Sequence, residues 1–176
     1  SVPLETLREL PGAIREGGWK VTVTLSDLGD GLEAIRVEPG DARARLLGIA
    51  VDIGTTTIVV DLVDLLTGKV LGTASDYNRQ ISRGEDVISR MMHSEEKGMD
   101  ELTSLARETV NSCIESLLAD ESRRAGTAVS ASDIVSASVA GNTVMTHFFA
   151  GLSTGHVRLE PYVPVAHRMP EQKGLD

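Results

Sequence analysis

In the stretch GIAVDIGTTTIVVDLVDLLTGKVL, from Gly48 to Leu71, a carboxylate, a glycine and three hydroxyls crowd together: Asp52, Gly54, Thr55, Thr56 and Thr57. An otherwise apolar pair of segments has no packing need for them at its tip. Successive backbone N–H groups at such a turn form an anion-binding nest, and threonine hydroxyls add neutral donors around it. Gly54 is expected to take a positive φ and to let a ligand approach the backbone. Asp52, at the end of the first segment, repels phosphate directly. Its natural partner is Mg²⁺, held through water and bridging to phosphate oxygens. The bland alternative is a tight hairpin, with Asp52 bonded to the turn backbone and the threonines chosen for strand propensity.

A second cluster lies at AGNTVMTH, where Asn142 follows a strand-like segment. Capping the next helix would account for Asn142, at about 1 kcal/mol. The functional alternative has it facing a γ-phosphate, with Gly141 allowing close approach and Thr143 adding a hydroxyl. An asparagine amide cannot accept a proton as a general base, so Asn142 could only orient water or hold phosphate.

Other polar residues carry less. DYNRQISRGED offers Asn78, Gln80, Arg83 and Asp86, either as a polar loop whose Asp86 starts a helix or as a surface for a partner. His93, His147, His156 and His167 show no metal-ligand spacing. Cys113 falls on an apolar helix stripe and reads as a buried thiol. A single cysteine can form no internal disulfide and cannot alone hold an iron–sulfur cluster or zinc.

The elements that must position these groups follow from periodicity. LGIAVDI, TTIVVDLVD and KVLGTASDY read as three strands, and their short connections require antiparallel neighbours. GEDVISRMMHSEEKG reads as a helix with Val87, Ile88, Met91 and Met92 on one face. DELTSLARETVNSCIESLLADESRRAG is a longer helix, with Leu102, Leu105, Ala106, Val110, Cys113, Ile114, Leu117 and Leu118 at i, i+3, i+4 spacing. SDIVSASVAG is a fourth strand and NTVMTHFFAG a short helix. Strand, strand, strand, helix, strand, helix is the order of a ribonuclease-H-like half-domain with a mixed sheet, over residues 48–176.

Residues 1–47 read as a separate small α+β segment. LETLRELPGAIREGG is a helical pattern broken at Pro11 and Gly12. WKVTVTL alternates, SDLGDG turns, LEAIRVEP is a second strand and EPGDARAR a linker. Two strands and a broken helix are too few for an independent core. The tail PYVPVAHRMPEQKGLD has no periodicity, and with a start at Ser1 the chain reads as a fragment.

Composition narrows the classes. A net charge of -9 argues against nonspecific nucleic-acid binding, and 3% aromatic content argues against a base-stacking platform. No apolar run reaches the roughly 18 to 20 residues of a membrane span, and no signal peptide is visible. A reducing, cytoplasmic setting is expected.

VDIGTTTIVV resembles the first phosphate motif of the actin, sugar kinase and Hsp70 ATPase superfamily. More particularly, GIAVDIGTTT, DLLTGKVL, NRQISRGEDVISRM and SVAGNTVMTHFFAGL are similar to the reductive activators of corrinoid proteins, from about Gly48 to the end. WKVTVTL and IRVEPGD resemble the region that precedes that domain. One departure is Arg79, where the family usually has proline. The resemblance implies an actin-like ATPase half-domain of an ATP-dependent activator that restores cob(I)alamin in a methyl-transferring corrinoid protein. It implies ATP and Mg²⁺ as ligands, and a 2Fe–2S domain N-terminal to this chain. Asp52 would hold Mg²⁺ through water; Gly54, Thr55, Thr56 and Thr57, with Gly141 and Thr143, would cradle phosphates; Asn142 would face the γ-phosphate. The second phosphate motif and the adenosine motif would lie beyond Asp176, so this half alone is expected to be inactive. No corrinoid-binding DxHxxG pattern occurs, so the corrinoid protein is the implied partner, and a homodimer is left open. The rivals are a metabolite kinase of the same superfamily, which should show a carboxylate base where Asn142 stands, and a docking module without nucleotide chemistry.

Overall fold

The computed structural model of the chain describes residues 1–27, 31–43 and 45–171. The expected turn SDLGDG, the linker EPGDARAR and the tail each include positions outside the described residues. The chain forms two compact units, Ser1–Leu46 with the chain end from Pro170, and Leu47–Met169.

In the first unit, helix α1 (Leu4–Glu16) is followed by strands β1 (Val21–Asp27) and β2 (Leu32–Pro39), paired antiparallel. The expected break at Pro11 does not occur. Pro11 lies on the exposed side of α1, so its ring meets solvent while the opposite face docks on β2. That face buries Thr6 and Ala13, and the Thr6 hydroxyl donates to the Ala34 carbonyl at 3.2 Å. Docking of this face offsets the ladder bond that proline cannot make. β1 starts two residues later than WKVTVTL suggests. Trp19 sits at φ 66 in the turn, and its amide donates to the Ile14 carbonyl.

The second unit is built on β3 (Leu47–Ile53), β4 (Thr57–Asp64), β5 (Lys69–Tyr77) and β6 (Ile134–Gly141), in the order β5-β4-β3-β6. β3–β4 and β4–β5 are antiparallel, and β6 joins β3 in parallel, with Asp52 opposite Ala140 and Ile53 opposite Gly141. Between β5 and β6 run a 3₁₀ turn (Arg79–Arg83) and helices α2 (Val87–Lys97) and α3 (Asp100–Ala125). Helices α4 (Thr143–Ala150) and α5 (Gly155–Arg158) follow β6. This is the mixed-sheet, ribonuclease-H-like half-domain that the element order implies.

One sheet face is dry. Val51 and Ile53 of β3 and Ile58, Val60 and Leu62 of β4 alternate inward, as a half-buried sheet requires. Above them α3 lays Leu102, Ala106, Val110, Cys113, Leu117 and Leu118, and α4 adds Val144, Met145 and Phe148. Burial pushes the Cys113 thiol pKa up, as an inert core cysteine should show. α3 stops at Gly126, whose φ of 67 is the left-handed cap that glycine takes without penalty.

α2 departs from expectation. Met91 is buried, but Ile88 is 58% and Met92 48% exposed, while Arg90 is fully buried. Asp86 caps α2, its side chain accepting from the Ser89 amide while the Ser89 hydroxyl accepts from the Asp86 amide.

No helix among the described residues is long and apolar enough to cross a membrane.

Candidate phosphate site

Asp52 and Asn142 come from the carboxyl ends of adjacent strands, where open α/β sheets present ligands. Because β3 and β6 are parallel, the Gly54–Thr57 tip and the first turn of α4 meet at one end of the sheet. The Asn142 amide lies 3.5 Å from the Thr55 hydroxyl, across 87 residues of sequence.

The tip does not follow the expected geometry. None of Gly54, Thr55, Thr56 or Thr57 has a positive φ, so the turn is not one of the primed types that usually close two-residue hairpins. Gly54 is required for another reason. A Cβ there would lie 2.4 Å from the Thr57 carbonyl oxygen, with which the Gly54 amide makes a 3.1 Å hydrogen bond. The tip is clamped from outside instead. Asn78 donates its side-chain amide to the Gly54 carbonyl at 2.9 Å and its backbone amide to the Thr56 carbonyl at 2.8 Å. With both carbonyls taken, the amides of Thr55 and Thr56 and the hydroxyls of Thr56 and Thr57 find no partner among the described residues. Those are the donors an oxyanion would use.

Asp52 sits on the outer face of β3, exposed, with no hydrogen bond or ion pair to its carboxylate among the described residues. It therefore does not bond to the turn backbone, as the bland hairpin would have it. One free carboxylate beside neutral donors suits Mg²⁺, which keeps several waters and takes phosphate oxygens as further ligands. Among the described residues no three His, Cys, Asp or Glu side chains form an all-protein metal cage.

Asn142 caps α4, its oxygen accepting from the Met145 amide at 3.0 Å, which leaves its NH₂ group towards Thr55. Both sequence readings of Asn142 are thus geometrically compatible. Gly141 has a close backbone neighbour. A Cβ there would meet the Ile53 carbonyl at 2.9 Å, so this glycine lets the two strand ends close together. Thr143 is exposed at the start of α4, while Thr146 donates back to the Asn142 and Thr143 carbonyls.

The polar loop has two interior members, Asn78 and Gln80, while Arg79, Ile81, Ser82, Arg83 and Asp86 are exposed. Asn78 and Gln80 are fully buried, and Gln80 reaches the Leu102 carbonyl at 2.8 Å. Arg79 keeps an amide that proline would lack, and donates it to Thr109 at 3.2 Å. Asn78 has φ -62 and ψ 110, the extended region favoured before proline, so the departure at Arg79 leaves a loop shape that proline would also accept. His147 is buried, with one ring nitrogen 2.6 Å from the Thr143 carbonyl and the other accepting from the Ala166 amide. It is a structural histidine.

Outside this interior, Arg83 and His93 converge on Glu101 at 2.6 and 2.9 Å. Arg83, then His93, hold the Glu101 pKa at about 2, below its ordinary 4.5. A depressed carboxyl pKa stabilises the fold above the unfolded value and loses that contribution as pH falls through the folded one. The urea midpoint of Glu101→Gln should therefore trail wild type above pH 5 and converge with it as pH falls from 4.5 to 2. A constant gap over that window would contradict the pairing.

The architecture is an actin-like half-domain whose Gly54–Thr57 tip lies at the carboxyl ends of β3 and β6. The chain belongs to the RACo family: residues 47–175 match the RACo middle region, and residues 1–44 match the RACo linker region. It is 32% identical over 140 residues to the corrinoid activation enzyme RamQ of Eubacterium limosum, a match covering 80% of this chain and 23% of that enzyme. A solved structure of a reductive activator for corrinoid, iron–sulfur protein superimposes with a TM-score of 0.82 at 41% identity, covering 97% of this chain and 26% of that one. The chain spans about a quarter of the length of these relatives.

Proposed function

We propose that this chain is the first phosphate-binding lobe of an ATP-dependent reductive activator, which returns a methyl-transferring corrinoid protein from cob(II)alamin to cob(I)alamin. The observation that carries the reading is the tip itself. Two carbonyls are clamped by Asn78; among the described residues the Thr55 and Thr56 amides, the Thr56 and Thr57 hydroxyls and the Asp52 carboxylate have no partner. Thr55, Thr56 and Thr57 would hold the polyphosphate, Asp52 would hold Mg²⁺ through water, and Asn142 would meet the γ-phosphate. The names of the relatives supply the corrinoid partner. The chemistry of the ion would be charge neutralisation along the phosphates. Nucleotide bound here would favour the closed arrangement of two lobes by binding it more tightly than the open one. The electron would come from the iron–sulfur domain expected ahead of this chain.

Asn142 counts against the metabolite-kinase alternative, since it offers no base and its oxygen is already engaged by Met145. The test is the rate at which the intact protein converts its corrinoid partner from cob(II) to cob(I), read from corrinoid absorbance. Wild type should be accelerated by Mg·ATP, and Asp52→Ala should lose the acceleration while keeping the nucleotide-free rate. A wild-type rate indifferent to ATP would favour a docking module instead.

A further inference from the structure

Behind the tip lies a buried polar network that the phosphate reading does not itself require. Arg90 of α2 is fully buried, and no described carboxylate makes a contact ion pair with its guanidinium; the exposed Asp86 at the start of the same helix acts on it only through space. Its Nε donates to the Gly84 carbonyl at 2.8 Å, and its Nη1 lies 3.3 Å from Gln80 Oε1 and 3.6 Å from Met145 Sδ. Its Nη2 has no hydrogen-bond partner among the described residues. Gln80 Oε1 also accepts from the Asn78 side chain at 3.2 Å, and the same Asn78 amide group clamps Gly54. Met145 is the residue whose backbone amide Asn142 caps. Arg90 thus reaches both halves of the site indirectly: the tip through Gln80 and then Asn78, and the first turn of α4 through Met145.

A buried cation without a counterion is unfavourable by itself, and replacing such groups with apolar side chains of similar volume is often neutral or stabilising. Stability alone gives little reason for an arginine here. A polyanion bound at the tip would add countercharge to that of the solvent-exposed Asp86, through a low-dielectric interior where screening by salt is weak. We propose that Arg90 is a positioning residue of the phosphate site, resting on the reading above: it sets the tip through Gln80 and Asn78, and its unpaired charge favours ligands by their phosphate number. It touches no phosphate itself.

The experiment is calorimetric titration of the intact protein with Mg·ATP, Mg·ADP and adenosine, comparing wild type with the double variant Gln80→Leu/Arg90→Met. Removing both polar partners together avoids leaving the Gln80 oxygen facing an apolar side chain. Since it also takes the Gln80 bonds from Leu102 and Asn78, Gln80→Leu alone is the control and should lose less for Mg·ATP. The expected result is a melting temperature within a few degrees of wild type, a Kd for Mg·ATP at least tenfold weaker, a smaller loss for Mg·ADP and none for adenosine. A merely structural arginine would weaken all three alike or none, and either pattern overturns the proposal. A wild type that binds no Mg·ATP overturns the functional reading and this inference together. A wild type that binds while the double variant binds equally well overturns the inference alone. Should the double variant fail to fold, hydrogen exchange on wild type decides. Mg·ATP should slow exchange at residues 79–84 and at Met145 along with the tip, and protection confined to the tip would overturn the coupling.

Discussion

Asn78→Asp is expected to lower the unfolding free energy by about 3 kcal/mol and to loosen the tip at Gly54. The two side chains are isosteric, so the loss does not come from volume. An aspartate keeps the acceptor for the Gln80 amide at 3.1 Å but loses both side-chain donations, to Gly54 at 2.9 Å and to Gln80 at 3.2 Å. Carboxylate oxygen would then face carbonyl oxygen at a position that is fully buried. Urea denaturation monitored by far-UV circular dichroism gives the stability. An Asn78→Asp midpoint equal to that of wild type at pH 7 would mean that Asn78 does not hold the tip. The backbone bond from Asn78 to Thr56 survives the substitution, so the strand pairing of β4 with β5 should persist.

The second large effect lies in the core. Phe148 is fully buried where α4 meets α3 and the inner face of the sheet, and Phe148→Ala should lose about 3–5 kcal/mol by transfer and cavity terms together. Its neighbour provides the control. Phe149 lies half-buried under the Arg107 guanidinium, 5.8 Å from the ring centroid, and Phe149→Ala should lose far less. The cavity sits one turn along from Met145, so Phe148→Ala should also loosen the Asn142 cap and make the first turn of α4 exchange faster. Equal losses for the two phenylalanines would contradict the placement of α4.

Particular residues explain which parts of this fold could be read before seeing it. The α3 stripe was legible because 26 residues sample many helical turns, and the buried set Leu102, Ala106, Val110, Cys113, Leu117 and Leu118 keeps its period. The strands were legible because Val51, Ile53, Ile58, Val60 and Leu62 alternate around a short connection. α2 misled in part: of the expected face Val87, Ile88, Met91 and Met92, Met91 is in the core and Val87 packs against it, whereas Ile88 and Met92 are exposed and a hydrogen-bonded arginine is buried beside Met91. Periodicity has no term for a polar group satisfied by Gly84 and Gln80. The same limit hid Asn78 and Gln80, which read as loop surface and are interior. The signal that could have found them was the run NRQISRGEDVISR, too particular for a solvated loop. At the tip, residue types were informative but conformations were not. Gly54 and Gly141 are needed for close approach of backbone to backbone, Thr57 in one case and Ile53 in the other; the first contact depends on how the β3–β4 turn closes and the second on the β3–β6 pairing. Pro11 failed as a helix breaker because its ring faces solvent and the docked face carries the helix past it.

The central claim is that the Gly54–Thr57 tip, with Asp52, binds a magnesium-bound polyphosphate. Titrating the intact protein with Mg·ATP, for wild type, Asp52→Ala and Thr55→Val, tests it most directly. Asp52 is exposed and unpartnered, so its removal should change stability by no more than about 0.5 kcal/mol. The account predicts saturable wild-type binding, weakened at least tenfold (about 1.4 kcal/mol) in Asp52→Ala, and weakened again when Mg²⁺ is withheld from wild type. Thr55→Val should weaken it as well, by removing the hydroxyl nearest Asn142. Three identical isotherms from three folded proteins would contradict the account and leave the threonine tip as a hairpin clamped by Asn78.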